Sequence, residues 1–273
     1  MAKFACAGWG FRDYKPALYF AAAARLELEN VEIGLDCFRP WHLSPSAGDA
    51  EINALRRQAA DEGVRIVAVA GEADFTSPDK EARAQRLESV KKQMQLTVQM
   101  GARVLRIFAG FVSEMEVRDE TFQWVRDALE EVADYAEHLG VIVAVENHGG
   151  VTKTGAQCRW LLHGLPEIVG LNYDPANFRH SGEDPLAALL VVENRVVYTH
   201  WKDLKPSGEQ WQHCAVGEGI IAWQPIVQEV LDSGFEGYLA IEYEDTADVE
   251  RGTRVSLENL KRFLESASPS EEQ

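Results

Sequence analysis

Short apolar segments alternate along the chain with longer stretches that carry helix-forming and charged residues. Eight of these segments are rich in Val and Ile, which is typical of strands that are buried on both faces of a sheet. They lie at residues 4–8, 31–36, 64–70, 103–109, 141–147, 168–174, 195–201 and 238–244. We therefore predict eight buried strands.

The stretches between the segments have the composition of helices, most clearly at residues 80–100 and 119–140. Gly63, Gly101 and Gly140 each follow such a stretch and stand two or three residues before the next strand. Glycine is common just past the end of a helix, because it adopts the left-handed conformation found there. The pattern predicts repeated strand–helix units with short connections.

Eight strand–helix units in succession indicate one closed parallel (β/α)8 barrel, the TIM-barrel fold. We assign residues 1–266 to the barrel and residues 267–273 to a polar C-terminal tail. The alternative is an open doubly wound sheet, which commonly has a glycine-rich phosphate turn after its first strand. The sequence CAGWGFRDY at 6–14 does not match that GxGxxG turn.

Composition narrows the classes of function. The 273 residues include 27 Lys and Arg against 44 Asp and Glu, giving a net charge of −17. Hydrophobic residues make up 46%, which excludes a disordered chain. Nucleic acids and anionic membranes attract basic proteins, so we expect neither as a partner. We find no secretory signal, and the four cysteines are scattered, so we expect a cytoplasmic protein with reduced thiols.

Four side chains that can bind a metal lie at the ends of the last four predicted strands. They are Glu146, Asp174, His200 and Glu242. Active sites of (β/α)8 barrels lie at these C-terminal strand ends, and alternation along each strand turns all four side chains inward. Any one of them alone is better explained as a polar strand end capped by a loop. The four together favour a shared site.

Three carboxylates and one imidazole form a site with mainly oxygen donors. Mn²⁺ or Mg²⁺ suits such a site best, and Co²⁺ or Zn²⁺ is compatible with it. Like charges in a confined mouth need a positive partner, which a divalent ion would supply. We therefore predict one divalent ion, with Mn²⁺ as the first choice.

Further candidates for the site share the same inward alternation or follow early strands. His148 and Lys202 have the alternation of Glu146 and His200, so we predict that both contact the substrate. Four aromatic residues lie at or after the ends of the early strands: Trp9, Phe11, Trp41 and Phe75. We expect them to form an apolar wall against a sugar, and the alternative for each is packing in the core. Inside the barrel we expect a structural ion pair between Arg106 and Glu32.

The chain resembles the xylose isomerase-like TIM-barrel superfamily, the sugar phosphate isomerase and epimerase group. The matching segments are LRIFAG at 105–110, VENHGG at 145–150, NYDPANF at 172–178, THWKDLK at 199–205 and the stretch from 217 to 244. The resemblance implies that Glu146, Asp174, His200 and Glu242 bind one divalent metal. Asn177 stands where ketose 3-epimerases often have a His, and we predict that it contacts the substrate. Those enzymes also have an Arg soon after the His of strand seven, where this chain has Lys205, Pro206 and Ser207.

From the site and the resemblance we expect an isomerase or epimerase that acts on a small keto-sugar or a related carbonyl compound. Glu146 and Glu242 would transfer protons through an enediolate. The alternative is a lyase or dehydratase on the same platform. An apurinic endonuclease is disfavoured by the few His residues and the acidity, and an inactive sugar-binding barrel by the intact ligand set. The sequence leaves a homo-oligomer open.

Overall fold

The computed structural model describes residues 3–37, 39–111, 117–208 and 210–267. The strands in these ranges are β1 (Lys3–Cys6), β2 (Asn30–Gly34), β3 (Arg65–Ala70), β4 (Val104–Phe108), β5 (Ile142–Glu146), β6 (Val169–Tyr173), β7 (Val196–Trp201), β8 (Asp203–Ser207), β9 (Gln210–Cys214) and β10 (Tyr238–Ile241). The helices are α1 (Pro16–Arg25), α2 (Asp49–Asp61), α3 (Lys80–Gln99), α4 (Asp119–Leu139), α5 (Gly155–Leu162), α6 (Pro175–His180), α7 (Pro185–Val192), α8 (Trp223–Asp232) and α9 (Val249–Ala267).

Eight parallel strands close into a barrel, in the order β1, β2, β3, β4, β5, β6, β7, β10 and back to β1. Closure is made by β1 and β10, where Ala5 lies opposite Ala240. Each barrel strand corresponds to one of the eight apolar segments of the sequence. The predicted (β/α)8 barrel is therefore confirmed.

Alternation along the strands divides the core into two layers, as predicted. Outward residues such as Val143 and Leu239 pack under the helices in the large outer core. A smaller cluster fills the barrel interior and is built mainly from alanines with one aromatic residue: Ala5, Ala7, Ala68, Val104, Ala144, Tyr198 and Ala240. Because alanine occupies little volume, larger polar side chains fit into the interior beside these residues.

An antiparallel hairpin formed by β8 and β9 lies between β7 and α8, and the sequence analysis did not predict it. Gly208, with φ of 63°, begins its turn. Pro206 pairs with Trp211 within the hairpin, although proline usually indicates a break in a strand. The hairpin follows the strand that carries His200, so it stands on the C-terminal face of the barrel.

Two of the predicted helix ends illustrate why glycine stands there. Gly101 and Gly140 have φ of 79° and 68°, in the left-handed region that other residues avoid. Each lets the chain leave a long helix and enter the next strand within a few residues. In the described part of the chain, no helix combines the length and the apolar character needed to cross a membrane.

Candidate active site

The structure brings the four predicted metal ligands together at the C-terminal end of the barrel. Glu146 ends β5, Asp174 follows β6, His200 lies in β7 and Glu242 follows β10. One potential ligand atom from each lies within 4.8 Å of the others, and all four residues are buried. Neighbouring strands of a parallel barrel thus place residues that are distant in sequence around one point.

Asp174 is fixed by contacts that leave one of its carboxylate oxygens available. It is the N-terminal cap of α6, where Oδ1 accepts a hydrogen bond from the Asn177 N–H at 3.0 Å. The Asn147 side chain donates to the Asp174 carbonyl and accepts from the Asp174 N–H, both at 2.8 Å. Oδ2 is left to face the site, because Oδ1 and both backbone groups are engaged.

The imidazole of His200 is held by a carboxylate on the opposite side of the barrel. Its Nε2 lies 3.0 Å from Glu32 Oε2, and both side chains are fully buried. Nδ1 has no hydrogen bond and lies 3.3 Å from Glu242 Oε1 and 3.7 Å from Glu146 Oε1. A carboxylate that accepts the Nε2 proton leaves Nδ1 as the nitrogen for a metal.

These residues fit a divalent ion. Three carboxylates and one imidazole converge, and the Nδ1 atom that would bind the ion has no hydrogen-bond partner. Buried carboxylates of like charge need a cation between them. The set of donors is compatible with Mn²⁺, Mg²⁺, Co²⁺ or Zn²⁺.

The expected ion pair between Arg106 and Glu32 is wrong. Arg106 Nε instead lies 3.2 Å from Glu146 Oε2. The reason is the strand order: β4 adjoins β5, whereas β3 separates β4 from β2. The Asn177 amide also donates to Glu146, at 3.0 Å to Oε1, so this carboxylate is held from two sides. Asn177 therefore contacts a candidate ligand, and its predicted contact with the substrate stays a prediction.

Lys202 is buried and reaches three carboxylates. Its Nζ lies 3.0 Å from Asp174 Oδ2, 2.7 Å from Glu242 Oε2 and 2.5 Å from Glu244 Oε1. Burial alone would lower the pKa of this lysine, but Asp174, Glu242 and Glu244 together hold it well above its usual value. The inward orientation that was predicted for Lys202 is confirmed, and the amine stays charged.

The pKa values of two ligand carboxyls shift in opposite directions. Burial raises the pKa of Glu146, but Arg106 and His200 outweigh it and hold the pKa well below the usual range. Burial also raises the pKa of Asp174, to about 7, because Lys202 offsets only part of that cost and Glu146 adds to it. The two carboxyls differ because Arg106 is in direct contact with Glu146 only.

A cavity of about 280 Å³ opens from the ligand cluster to the surface. Glu146, His148, Lys202 and Glu242 line it, so four predicted site residues face one space. The lining also includes an aromatic wall, which consists of Trp9, Trp41, Phe108 and Phe111. The sequence analysis expected the first two. Alternation along β4, which turns Phe108 inward with Arg106, would also have identified Phe108.

Two of the aromatic residues expected in the wall are elsewhere. Phe11 and Phe75 are fully buried in the outer core, which was the alternative explanation for them. Trp9 belongs to the site, because its Nε1 donates to Glu244 Oε2 at 3.3 Å. Glu244 is thereby tied to both Lys202 and the aromatic wall.

A larger cavity of about 760 Å³ lies at the opposite end of the barrel, where the strands begin. Its cationic lining residues are Lys3, Arg56, Arg65 and Arg103. Barrels of this type carry their chemistry at the C-terminal end. The cluster of four ligands likewise lies beside the smaller cavity, and we assign the candidate active site there.

The chain belongs to the xylose isomerase-like TIM-barrel family, whose model matches residues 20–263. Inosose dehydratase from Lacticaseibacillus casei is 25% identical over 143 residues. That match covers 46% of this chain and spans 48% of the relative, about half of its length. L-ribulose-5-phosphate 3-epimerase from Salmonella paratyphi A is 26% identical over 205 residues, 71% of this chain and 70% of the relative.

The fold is shared with solved structures of low sequence identity. A crystal structure of IOLI protein with a bound zinc atom superimposes with a TM-score of 0.81 at 16% identity. The superposition covers 98% of this chain and 100% of that one. By their names, these two sequence relatives are a dehydratase and an epimerase, and the structural neighbour is a barrel of the same architecture with a bound zinc atom.

Proposed function

We propose that this protein is a divalent-metal-dependent epimerase or isomerase that acts on a small polyhydroxylated ketone. The observation that carries the proposal is the placement of Glu146 and Glu242. Both carboxylates belong to the four-ligand cluster, and both also line the cavity that a substrate would enter. They can therefore reach the same substrate from two different strands.

Proton transfer at the carbon next to a carbonyl needs a base, an acid and stabilisation of the oxygen that becomes negative. One of Glu146 and Glu242 removes the proton, and the other returns it. Arg106 and Asn177 hold Glu146 in place, and Lys202 holds Glu242 at 2.7 Å. A divalent ion bound by the cluster supplies a Lewis acid that stabilises negative charge on the substrate.

The residues around the cluster have supporting roles in this proposal. Lys202 faces the cavity as a cation and can donate a hydrogen bond to a substrate oxygen. His148 lies at the rim, in edge contact with Phe108 at 4.9 Å between ring centroids, where it can contact a hydroxyl group. Mn²⁺ is our choice of ion, because oxygen donors predominate.

A dehydratase is the second candidate. The observation that favours it is the Lys202 ammonium, which stands beside Glu242 and can donate a hydrogen bond to a departing hydroxyl group. One of the relatives, inosose dehydratase, carries out a reaction of this class according to its name. Both candidates share proton removal by a glutamate and differ only in the fate of the resulting enediolate.

The remaining proposals concern the binding partners and the cellular location of the enzyme. We propose a small-molecule substrate and no nucleic-acid or membrane partner, which the net charge of −17 supports. We also propose a cytoplasmic location, supported by the four unpaired cysteines. A homo-oligomer is compatible with these features.

The test replaces the glutamates one at a time. Glu146→Gln and Glu242→Gln keep an oxygen ligand but remove the base, so each should lower turnover by about 10²–10⁴-fold even with saturating Mn²⁺. Asp174→Asn is the control, because it changes a ligand that does not line the cavity. Its activity should recover partly with excess Mn²⁺, and metal content is measured for every variant.

Product analysis separates the two candidates. In D₂O, an epimerase incorporates deuterium at the reacting carbon with no loss of water, whereas a dehydratase gives a product that has lost water. Full recovery of both Gln variants by excess metal would contradict the acid–base roles of the glutamates and make them ligands only.

A further inference from the structure

We infer that the substrate of this site is uncharged: a polyhydroxylated ketone without a phosphate group, whose C–H face packs against the aromatic wall of Trp9, Trp41, Phe108 and Phe111. This inference rests on the proposed function and names its substrate class. It separates the two kinds of substrate suggested by the names of the relatives, a sugar phosphate and a cyclitol ketone.

The first argument is the charge around the cavity. Arg106 and Lys202 are the cations among its described lining residues, and both are already neutralised. Arg106 lies 3.2 Å from Glu146, and Lys202 contacts three carboxylates at 2.5–3.0 Å. Arg106 Nη1 has no hydrogen-bond partner in the described part of the chain, but Glu146 already balances the charge of this guanidinium, so a phosphate would have to compete with carboxylates for either cation.

The overall balance of charge leads to the same conclusion. Five carboxylates meet at the site: Glu32, Glu146, Asp174, Glu242 and Glu244. Two side-chain cations and a divalent ion together would still leave the group with one negative charge. A phosphate dianion transferred from water into such a site loses hydration and gains no compensating cation.

The second argument is the composition of the outer part of the cavity, where the far end of a substrate would lie. The wall there is aromatic and includes Phe111, which is 43% exposed. Rings of this kind pack against the C–H face of a sugar or cyclitol without any need for charge.

Arg12 is a further cation beside the aromatic wall, and its guanidinium is already engaged. Its guanidinium packs on the Trp9 ring, 4.8 Å from the ring centroid. It also donates to the carbonyls of Trp9 at 2.9 Å and of Glu244 at 3.0 Å. Arg12 therefore supports the base of the wall and is not among the residues that line the cavity.

The test compares D-glucitol with D-glucitol 6-phosphate, two unreactive polyols that differ by the phosphate. Calorimetry with the Mn²⁺-loaded protein should give at least tenfold tighter binding for D-glucitol. The phosphate could also bind in the cationic cavity at the opposite end of the barrel, which Arg103 lines. The titration is therefore repeated with Arg103→Gln, and a binding signal that is lost in this variant is assigned to that cavity.

A gain-of-charge variant tests the aromatic wall. Phe111→Lys should improve binding of D-glucitol 6-phosphate at least tenfold relative to the matched neutral variant Phe111→Gln, since it places an unpaired cation beside the far end of the ligand. No such gain would overturn the placement of the substrate against this wall. The inference would be overturned if the unmodified protein bound D-glucitol 6-phosphate as tightly as D-glucitol or more tightly, and if Arg103→Gln did the same. Failure of both polyols to bind would also overturn it.

Failure of the inference is distinguishable from failure of the proposed function. The same Mn²⁺-loaded protein is incubated in D₂O with unphosphorylated ketoses and with their phosphate esters. Faster deuterium exchange on the phosphate esters would contradict the inference alone. Absence of exchange and of dehydration on every ketose would contradict the proposed function itself.

Discussion

The contact between Glu32 and His200 shows how one buried carboxylate prepares a ligand for a metal. Glu32 Oε2 lies 3.0 Å from Nε2, which orients the ring and leaves Nδ1 toward Glu146 and Glu242. A partner of this kind also makes the imidazole a stronger donor to a metal. Glu32 thus acts on the site through His200 and is a positioning residue.

Glu32→Gln is therefore expected to weaken Mn²⁺ binding by about 10–100-fold, because an amide accepts the Nε2 proton less strongly than a carboxylate does. Isothermal titration with Mn²⁺ measures the loss. Glu29→Gln is the matched control, since Glu29 precedes the same strand but is exposed and pairs only with Arg65. Unchanged Mn²⁺ affinity in Glu32→Gln would show that the contact does not prepare the ligand.

At this scale the sequence predicted the direction of side chains but not their partners. Alternation correctly turned Glu146, His200 and Lys202 inward, since it depends only on the position in a strand. It paired Arg106 with Glu32 wrongly, because contacts across a barrel depend on strand order and side-chain reach. In the structure Glu32 contacts His200, and Arg106 contacts Glu146.

Among the elements, Asp203 connects the end of β7 to the segment that leads into α8. Its buried carboxylate accepts hydrogen bonds at 2.7–3.4 Å from four backbone N–H groups and one indole, those of Leu204, Gly217, Gly219, Ile221 and Trp223. Asp203 directly follows Lys202, so the same contacts fix the end of the strand that carries His200 and Lys202. The hairpin of β8 and β9 begins at this residue.

Replacing Asp203 by Ala leaves three buried donors, those of Leu204, Ile221 and Trp223, without an acceptor. Each unpaired buried donor costs about 1–3 kcal/mol before relaxation. We expect the free energy of unfolding to fall by about 3 kcal/mol, measured by urea unfolding. Asp232→Ala is the control, because Asp232 is exposed and accepts one bond from Gln228; it should change stability by less than about 0.5 kcal/mol. Equal effects of the two variants would contradict the role of Asp203.

The elements also show where sequence patterns stop being informative. The sequence predicted helices α3 and α4 from their helix-forming and charged residues, and all eight barrel strands from their apolar segments. The hairpin was missed because its strands are short and polar and contain Pro206. Its stabilising contacts come from Asp203 and from packing on the barrel, which no local pattern records.

At the scale of the whole molecule, the closed barrel concentrates negative charge at one end of its interior. Eight repeated units made the fold predictable, and four side chains that can bind a metal at consecutive strand ends made a cationic ligand predictable. What the sequence did not give is the small alanine-filled interior, which makes room for Glu32, Arg106 and the ligand cluster. The space inside the barrel depends on which side chains from different strands lie next to one another there.

A metal bound to the folded barrel should stabilise it, and the effect should depend on pH. At a free Mn²⁺ concentration 100 times the dissociation constant, the free energy of unfolding rises by about 2.7 kcal/mol. In the metal-free protein the pKa of Asp174 is raised to about 7, and that of His200 is also raised, so Mn²⁺ must displace protons. Mn²⁺ affinity should therefore fall as the pH drops through about 7.

Thermal unfolding with Mn²⁺ or with a chelator, at pH 6 and pH 8, measures this dependence. The melting temperature should rise with Mn²⁺, and more so at pH 8. An equal or larger rise at pH 6 would show that the protons of the cluster do not compete with the metal.

The most direct test of the central claim is the anomalous scattering of a crystal of the protein grown with Mn²⁺. The account predicts one strong anomalous peak, bounded by Glu146, Asp174, His200 Nδ1 and Glu242, at the inner end of the aromatic-walled cavity. A fully loaded protein with no peak among these four residues, or with its metal held elsewhere, would contradict the account.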